Sequence, residues 1–186
     1  AKYANVSWQS TMMSYFDQTE NTSITATKAY LSSPMSVDWI ALDDMYAGYG
    51  YGISNAFAGD TIYGFNTNIA DSTSEIFAKF KDYASATAFT LVDGSGSDTL
   101  DVSGFSNNQT IDLRATDKTL SSLYTSNIGA FTGNLTIASG TVIENAVGGS
   151  GNDNIRGNSA NNSLNGGTGN DTIAGGTGND TYVVDS

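Results

Sequence analysis

The chain has 186 residues and a net charge of −12, from 19 acidic and 7 basic side chains. That balance excludes nucleic acid and anionic membranes as partners, since both select basic patches, and it suits divalent cations. Cysteine and histidine are both absent, which excludes a disulfide framework, a thiolate metal site, a Ser–His–Asp triad and a His-rich zinc site built from this chain alone. With 39% hydrophobic residues, including 10 Tyr and 8 Phe, the composition supports a packed core rather than disorder.

In chain order, the N-terminus "AKYANVSWQS" has neither the basic nor the apolar part of a signal peptide. No later stretch approaches the ~18 apolar residues of a membrane span. "WQSTMMSYFDQTE" follows, with Met13 two residues before Tyr15. Next, "LSSPMSVDWIALDDMYAGYG" reads as a helix. Ser33 is its expected cap, Pro34 fits the first helical position, and Gly48 is the expected stop. Met35, Trp39, Leu42 and Tyr46 form an apolar stripe at helical spacing, which is read as core.

Beyond residue 50 the pattern changes. "GDTIYGFN" begins at Gly59 and contains Thr61. "EIFAKF", "QTIDLRA" and "NLTIAS" alternate apolar and polar residues and are expected to be strands of a β-sandwich or of early roll turns. "VDGSGSDTLDVSGF" places Asp93, Gly94, Gly96 and Asp98 in a glycine-rich turn, and "TVIENAVGGSGND" offers Glu144. Taken singly, each of these is simply a turn between strands.

From Gly148 to Val183 one nine-residue phrase occurs four times without a gap: GGSGNDNIR, GNSANNSLN, GGTGNDTIA, GGTGNDTYV. Position eight is always apolar (Ile155, Leu164, Ile173, Tyr182), as a short strand with one inward side chain requires. Position six is Asp153, Asn162, Asp171 and Asp180. Glycines crowd positions one, two and four, where a tight turn needs backbone that bears no Cβ penalty. An Asp beside exposed backbone carbonyls makes a hard oxygen cage. A flexible linker would have neither the fixed period nor the periodic apolar residue.

This phrase resembles the calcium-binding repeats of RTX proteins, G-G-x-G-x-D-x-U-x, which coil into a parallel β-roll with calcium between stacked turns. The resemblance implies that Asp153 and Asp171 share an ion with carbonyls of Gly149, Gly151, Gly167 and Gly169. Asp180, Gly176 and Gly178 would face the second repeat, where Asn158, Ala160 and Asn162 replace Gly, Gly and Asp. Gly59, Thr61, Asp93, Gly96, Asp98 and Glu144 are further candidate calcium ligands upstream.

Read together, Met13-Ser14-Tyr15, the helix, "GDTIYGFN", "GSGSDTLDVSGF" and the repeats stand in the order found in serralysin-like metalloproteases of peptidase family M10, whose Met-turn reads Met-Ser-Tyr. In that family H-E-x-x-H-x-x-G-x-x-H supplies the zinc ligands and the general base, and neither has a counterpart here. The resemblance implies Met13 as the packing floor beneath zinc and Tyr15 as a phenol able to ligate zinc and to stabilise the oxyanion.

The implied fold is mainly β. A parallel RTX β-roll with strands of a β-sandwich follows a Met-turn segment and one α-helix. Residues 1–50 would be the C-terminal remnant of a catalytic domain, and 51–186 the calcium-binding roll. The implied function is the C-terminal part of a secreted zinc metalloendopeptidase, inactive alone. Several Ca²⁺ ions would be structural, and Zn²⁺ would be bound only in the full enzyme. Its partners would be a segment carrying the zinc-binding helix, on the same or a separate chain, and a protein or peptide substrate, but no nucleic acid and no membrane. Export would be extracellular, by a type I route. The alternative is a stand-alone, non-catalytic calcium-binding module for secretion or adhesion.

Overall fold

A nine-residue period leaves room for a three-residue strand between two six-residue turns, and the repeats run in that way. A computed structural model describes residues 26–184. Its elements are β1 (Tyr30–Leu31), α1 (Ser36–Tyr46), β2 (Ile62–Gly64), α2 (Glu75–Ala78), α3 (Phe80–Tyr83), β3 (Thr87–Leu91), β4 (Thr99–Asp101), β5 (Thr110–Asp112), β6 (Leu135–Ile137), β7 (Asn145–Val147), β8 (Asn154–Arg156), β9 (Ser163–Asn165), β10 (Thr172–Ala174) and β11 (Thr181–Val183).

The strands form three parallel sheets, ordered β11-β9-β7-β4-β2, β10-β8-β5 and β1-β3-β6. Successive repeats alternate between the first two sheets, so β8 pairs with β10 and β9 with β11. The fold is therefore mainly β with parallel strands and few helices, consistent with a parallel β-roll.

Because every layer is in register, the inward residues stack. One file runs Tyr63, Leu100, Ala146, Leu164, Tyr182, and the facing file runs Ile111, Ile155, Ile173. Leu100, Ile155 and Leu164 are fully buried, and Ile173 packs against the same core. Tyr182 is half-exposed, and its phenol oxygen accepts from Gly175 N at 3.0 Å. Phe80, Phe89 and Leu91 thicken the upstream end of this core.

Three local expectations are corrected. "EIFAKF" is helical rather than a strand: Ser74 Oγ caps Phe77 N, Lys79 reaches Glu75 at 2.8 Å one turn back, and Phe77 and Phe80 share the buried side. Two short helices thus join α1. Second, Ser33 does not cap α1, because its Oγ accepts from Thr90 N at 2.8 Å and is committed to β3. The helix begins at Ser36, where Asp38 accepts from Met35 N at 2.9 Å. Third, α1 runs on through a 3₁₀ turn, Ala47–Tyr49, and the left-handed residue that ends it is Gly50 (φ 83°), not Gly48. Along the stripe, Met35 is buried and Trp39 packs on the core, but Tyr46 is exposed.

Candidate functional site: the stacked turns

The residue just before each strand is the key position. In the long sheet these residues are Thr61, Asp98, Glu144, Asn162 and Asp180; in the three-stranded sheet they are Gln109, Asp153 and Asp171. Backbone N–H groups there donate to the side chain of the next layer. Thr61 N reaches Asp98 Oδ1 (2.8 Å), Asp98 N reaches Glu144 Oε2 (2.8 Å) and Asn162 N reaches Asp180 Oδ1 (3.0 Å). Gln109 N reaches Asp153 Oδ1 (2.7 Å) and Asp153 N reaches Asp171 Oδ1 (2.8 Å). The layers lie 18 residues apart within the repeats but 37, 46 and 44 apart upstream. The same bond recurs at five of the six steps although the sequence spacing varies; at the sixth, Glu144 N donates to Asp98 O (3.2 Å) instead.

A second file, one residue earlier, runs the other way. Asn152 N donates to Asn108 Oδ1, Asn170 N to Asn152 Oδ1, Asn179 N to Asn161 Oδ1 and Ser97 N to Asp60 Oδ1, all at 2.8–2.9 Å. Gln109, Asp60 and this asparagine file were not singled out from sequence. The signal was present, however: position five is Asn in all four repeats.

Asp153 and Asp171 lie in adjoining layers with the Gly149, Gly151, Gly167 and Gly169 turns around them. Asp153 is buried, and its second oxygen accepts from Gly149 N at 2.7 Å. Gly167 (φ 85°) and Gly169 (φ 132°) adopt backbone closed to other residues, and a Cβ on either would collide with Gly149 O or Gly151 O. The turn is thus a close-packed set of carboxylate and carbonyl oxygens. Carboxylates only accept, so such a set fits a hard cation. Among the described residues no three His, Cys, Asp or Glu side chains cluster, so a cation here would draw largely on backbone carbonyls. Asp180, Gly176 and Gly178 likewise stand over the second repeat. A Cβ on Gly176 would meet Asn158 O, and one on Gly178 would meet Ala160 O.

Upstream, the structure brings Gly59, Thr61, Asp93, Gly96 and Asp98 together. Gly59 N donates to Ser95 O (2.6 Å), and a Cβ on Gly96 would strike Gly59 O. Asp93 and Asp98 are both about 1% exposed. Tyr63 donates to Asp93 Oδ2 at 2.7 Å. Burial pushes the Asp98 carboxyl up to about 7, with the neighbouring Asp93 charge adding to it, and burial also raises Asp93. The Tyr63 phenol is raised by burial and by Asp93. Two acids in one dry pocket cannot both ionise cheaply without a counter-charge. Glu144 joins this site to the repeats through Asp98 N.

Zinc is a different matter. The chain has no His or Cys, so it does not itself build the site the resemblance implies. Met13 and Tyr15 lie outside the described residues.

The turns thus belong to an in-register parallel roll punctuated by glycine and carboxylate, and sequence comparison says which family shares it. The model of the Peptidase M10 serralysin C-terminal family matches residues 54–186. The chain belongs to that family. It is 41% identical to Serralysin C of Dickeya chrysanthemi over 82% of its own length and 29% of that protein. It is 40% identical to Metallopeptidase AprA of Pseudomonas marginalis (76% and 27%) and 41% identical to Serralysin of Photorhabdus sp. strain Az29 (82% and 28%). The chain therefore spans less than a third of the length of these relatives.

Proposed function

We propose that this chain is the C-terminal part of a secreted zinc metalloendopeptidase and that its turns bind structural calcium. The observation that carries the reading is the pairing of Asp153 and Asp171 across close-packed Gly149, Gly151, Gly167 and Gly169. Calcium bound there would neutralise the carboxylates and join the carbonyls of successive layers. The chain's own part is to hold those oxygens in register, which the ladder through Gln109, Asp153 and Asp171 does. Asp180 with Gly176 and Gly178, and the upstream set of Gly59, Thr61, Asp93, Gly96, Asp98 and Glu144, are proposed as further ligands. The domain division at residue 50 is supported by a family match that begins at residue 54. A catalytic segment covering residues before it is supported by exposed Met45, Tyr46, Tyr49 and Tyr51, four large apolar side chains close together in the chain, since exposed apolar surface marks interaction sites. Folding on reaching calcium outside the cell fits a roll held by such turns.

Metal analysis of the isolated chain should give several calcium ions and little zinc, and the chain alone should not cleave casein. Chelator should reduce its β signal in circular dichroism, and Asp171→Ala should raise the calcium needed to restore it. Stoichiometric zinc, or an identical spectrum with and without chelator, would sink the reading. In the full-length protein, Tyr15→Phe should lower kcat by about 10²–10³ with a smaller effect on KM, as loss of an oxyanion donor does. An unchanged kcat would make Tyr15 a packing residue.

A further inference from the structure

The second repeat is built differently from its neighbours, and the difference lies in which groups can donate. In the first repeat, Gly149 has no side chain and Asp153 only accepts, so neither position offers a side-chain proton to a nearby carbonyl. In the second, Asn158 and Asn162 stand at those positions, each with a side-chain NH₂. Both turns share one bond: Asn158 N donates to Asn162 Oδ1 (2.9 Å) as Gly149 N donates to Asp153. Beyond it they diverge.

Asn158 Nδ2 donates to Ile143 O (2.8 Å) and to Leu113 O (3.1 Å). Its Oδ1 accepts from Ala160 N (2.9 Å) and from Asn162 Nδ2 (3.2 Å). Asn162 Nδ2 also donates to Glu144 O at 2.9 Å, and Asn162 is buried. Three backbone carbonyls, of Leu113, Ile143 and Glu144, are therefore gathered by two amides. Each amide proton is used, and Asn158 Oδ1 accepts twice. No backbone strain opposes this, since Asn158 is not among the residues with positive φ, whereas Gly167 and Gly176 at the same repeat position are.

Converging carbonyl oxygens repel one another and need either a cation or N–H donors between them. We propose that the side-chain amides of Asn158 and Asn162 take the place of a cation at the turn 157–162, joining it to the layer beneath without metal. The turn is thus a metal-independent clamp. It holds the repeats to two upstream segments, the exit of β5 at Leu113 and the approach to β7 at Ile143 and Glu144. The inference rests on the calcium reading only for its contrast with the flanking turns; the amide contacts stand apart from it.

The test is hydrogen exchange on the 186-residue chain, with calcium and with chelator, read by mass spectrometry, together with calcium stoichiometry. In chelator, residues 157–163 should stay protected while 166–172 lose protection. Asn158→Gly, which removes one of the two amides, should speed exchange at 157–163 in chelator by about ten- to a hundredfold, the size expected when buried hydrogen bonds are lost. The triple variant Asn158→Gly/Ala160→Gly/Asn162→Asp, which restores the repeat pattern, should bind one more calcium than the parent chain. Asn158→Asp keeps the volume but loses both donors; it should show the same loss in chelator and recover in calcium, and it serves if Asn158→Gly does not fold. In chelator, equal exchange of 157–163 and 166–172 in the parent chain, or unaltered protection in both Asn158 single variants, overturns the clamp. So does a triple-variant chain that gains no calcium while the parent binds it. If the parent binds no calcium at all, the calcium reading falls, and the clamp is judged on the chelator arm alone.

Discussion

The upstream layers and the four repeats build the same ladder with different materials. In both, one inward residue per strand stacks on the next, and the residue before each strand is tied to its neighbour layer. Upstream, though, large buried side chains, Tyr63, Phe80, Phe89 and Leu91, thicken the core beside the acid pair Asp93 and Asp98. In the repeats each layer turns only one apolar side chain inward, and its burial fades from Ile155 and Leu164 through partly buried Ile173 to half-exposed Tyr182. The remaining cohesion comes from polar turns. A fold can thus continue unchanged while its support shifts from apolar burial to oxygen chemistry.

Substitutions at matched positions probe that shift. Phe89→Ala, at the upstream end, should cost about 3–5 kcal/mol in chelator and in calcium alike, as removal of a buried Phe does. Leu164→Ala should cost about 2–5 kcal/mol by the same cavity argument. Tyr182→Ala should cost clearly less than either, since its ring is half-exposed already. Denaturant melts of the three variants check the gradient, and equal losses at Leu164 and Tyr182 would break the comparison.

A smaller effect should appear with pH. In the metal-free protein the Asp98 pKa lies near 7, above its ordinary value. The folded form therefore holds a proton that the unfolded chain releases at lower pH. Stability from this group is fully present below about pH 4 and is lost as pH rises through about 7. Melting temperature in chelator should fall between pH 5 and 8, and Asp98→Asn should flatten that slope. A rise over the same range would show that the acid pair is not buried as described.

The smallest effect should come from the asparagine file. Asn152→Ala removes the acceptor for Asn170 N and should cost about 0.5–1.5 kcal/mol. A much larger loss would make this file, rather than the carboxylate ladder, the main polar support of the repeats.

Much of the repeat region was legible in the sequence because a nine-residue period admits few geometries. Glycine, carboxylate and apolar residue each keep a fixed place, so strand, turn and inward side chain follow. The sequence alone likewise settled that this chain, without His or Cys, does not assemble a His-based zinc site by itself. What it did not reveal has a common cause: the deciding contact lies far along the chain. Ser33 matches a helix cap, but Thr90 N, 57 residues away, takes its oxygen. "EIFAKF" alternates like a strand, yet both Phe77 and Phe80 must reach the same core, and only a helix brings them to one side. Thr61, Asp98 and Glu144 join one ladder although 37 and 46 residues separate successive members, because the intervening chain loops out without disturbing the register. Asn158 is one of three residues at which the second repeat departs from the pattern, and sequence marks it only as a departure. The tertiary structure decides its role, since the carbonyls of Leu113 and Ile143 meet its amide only once the layers have stacked.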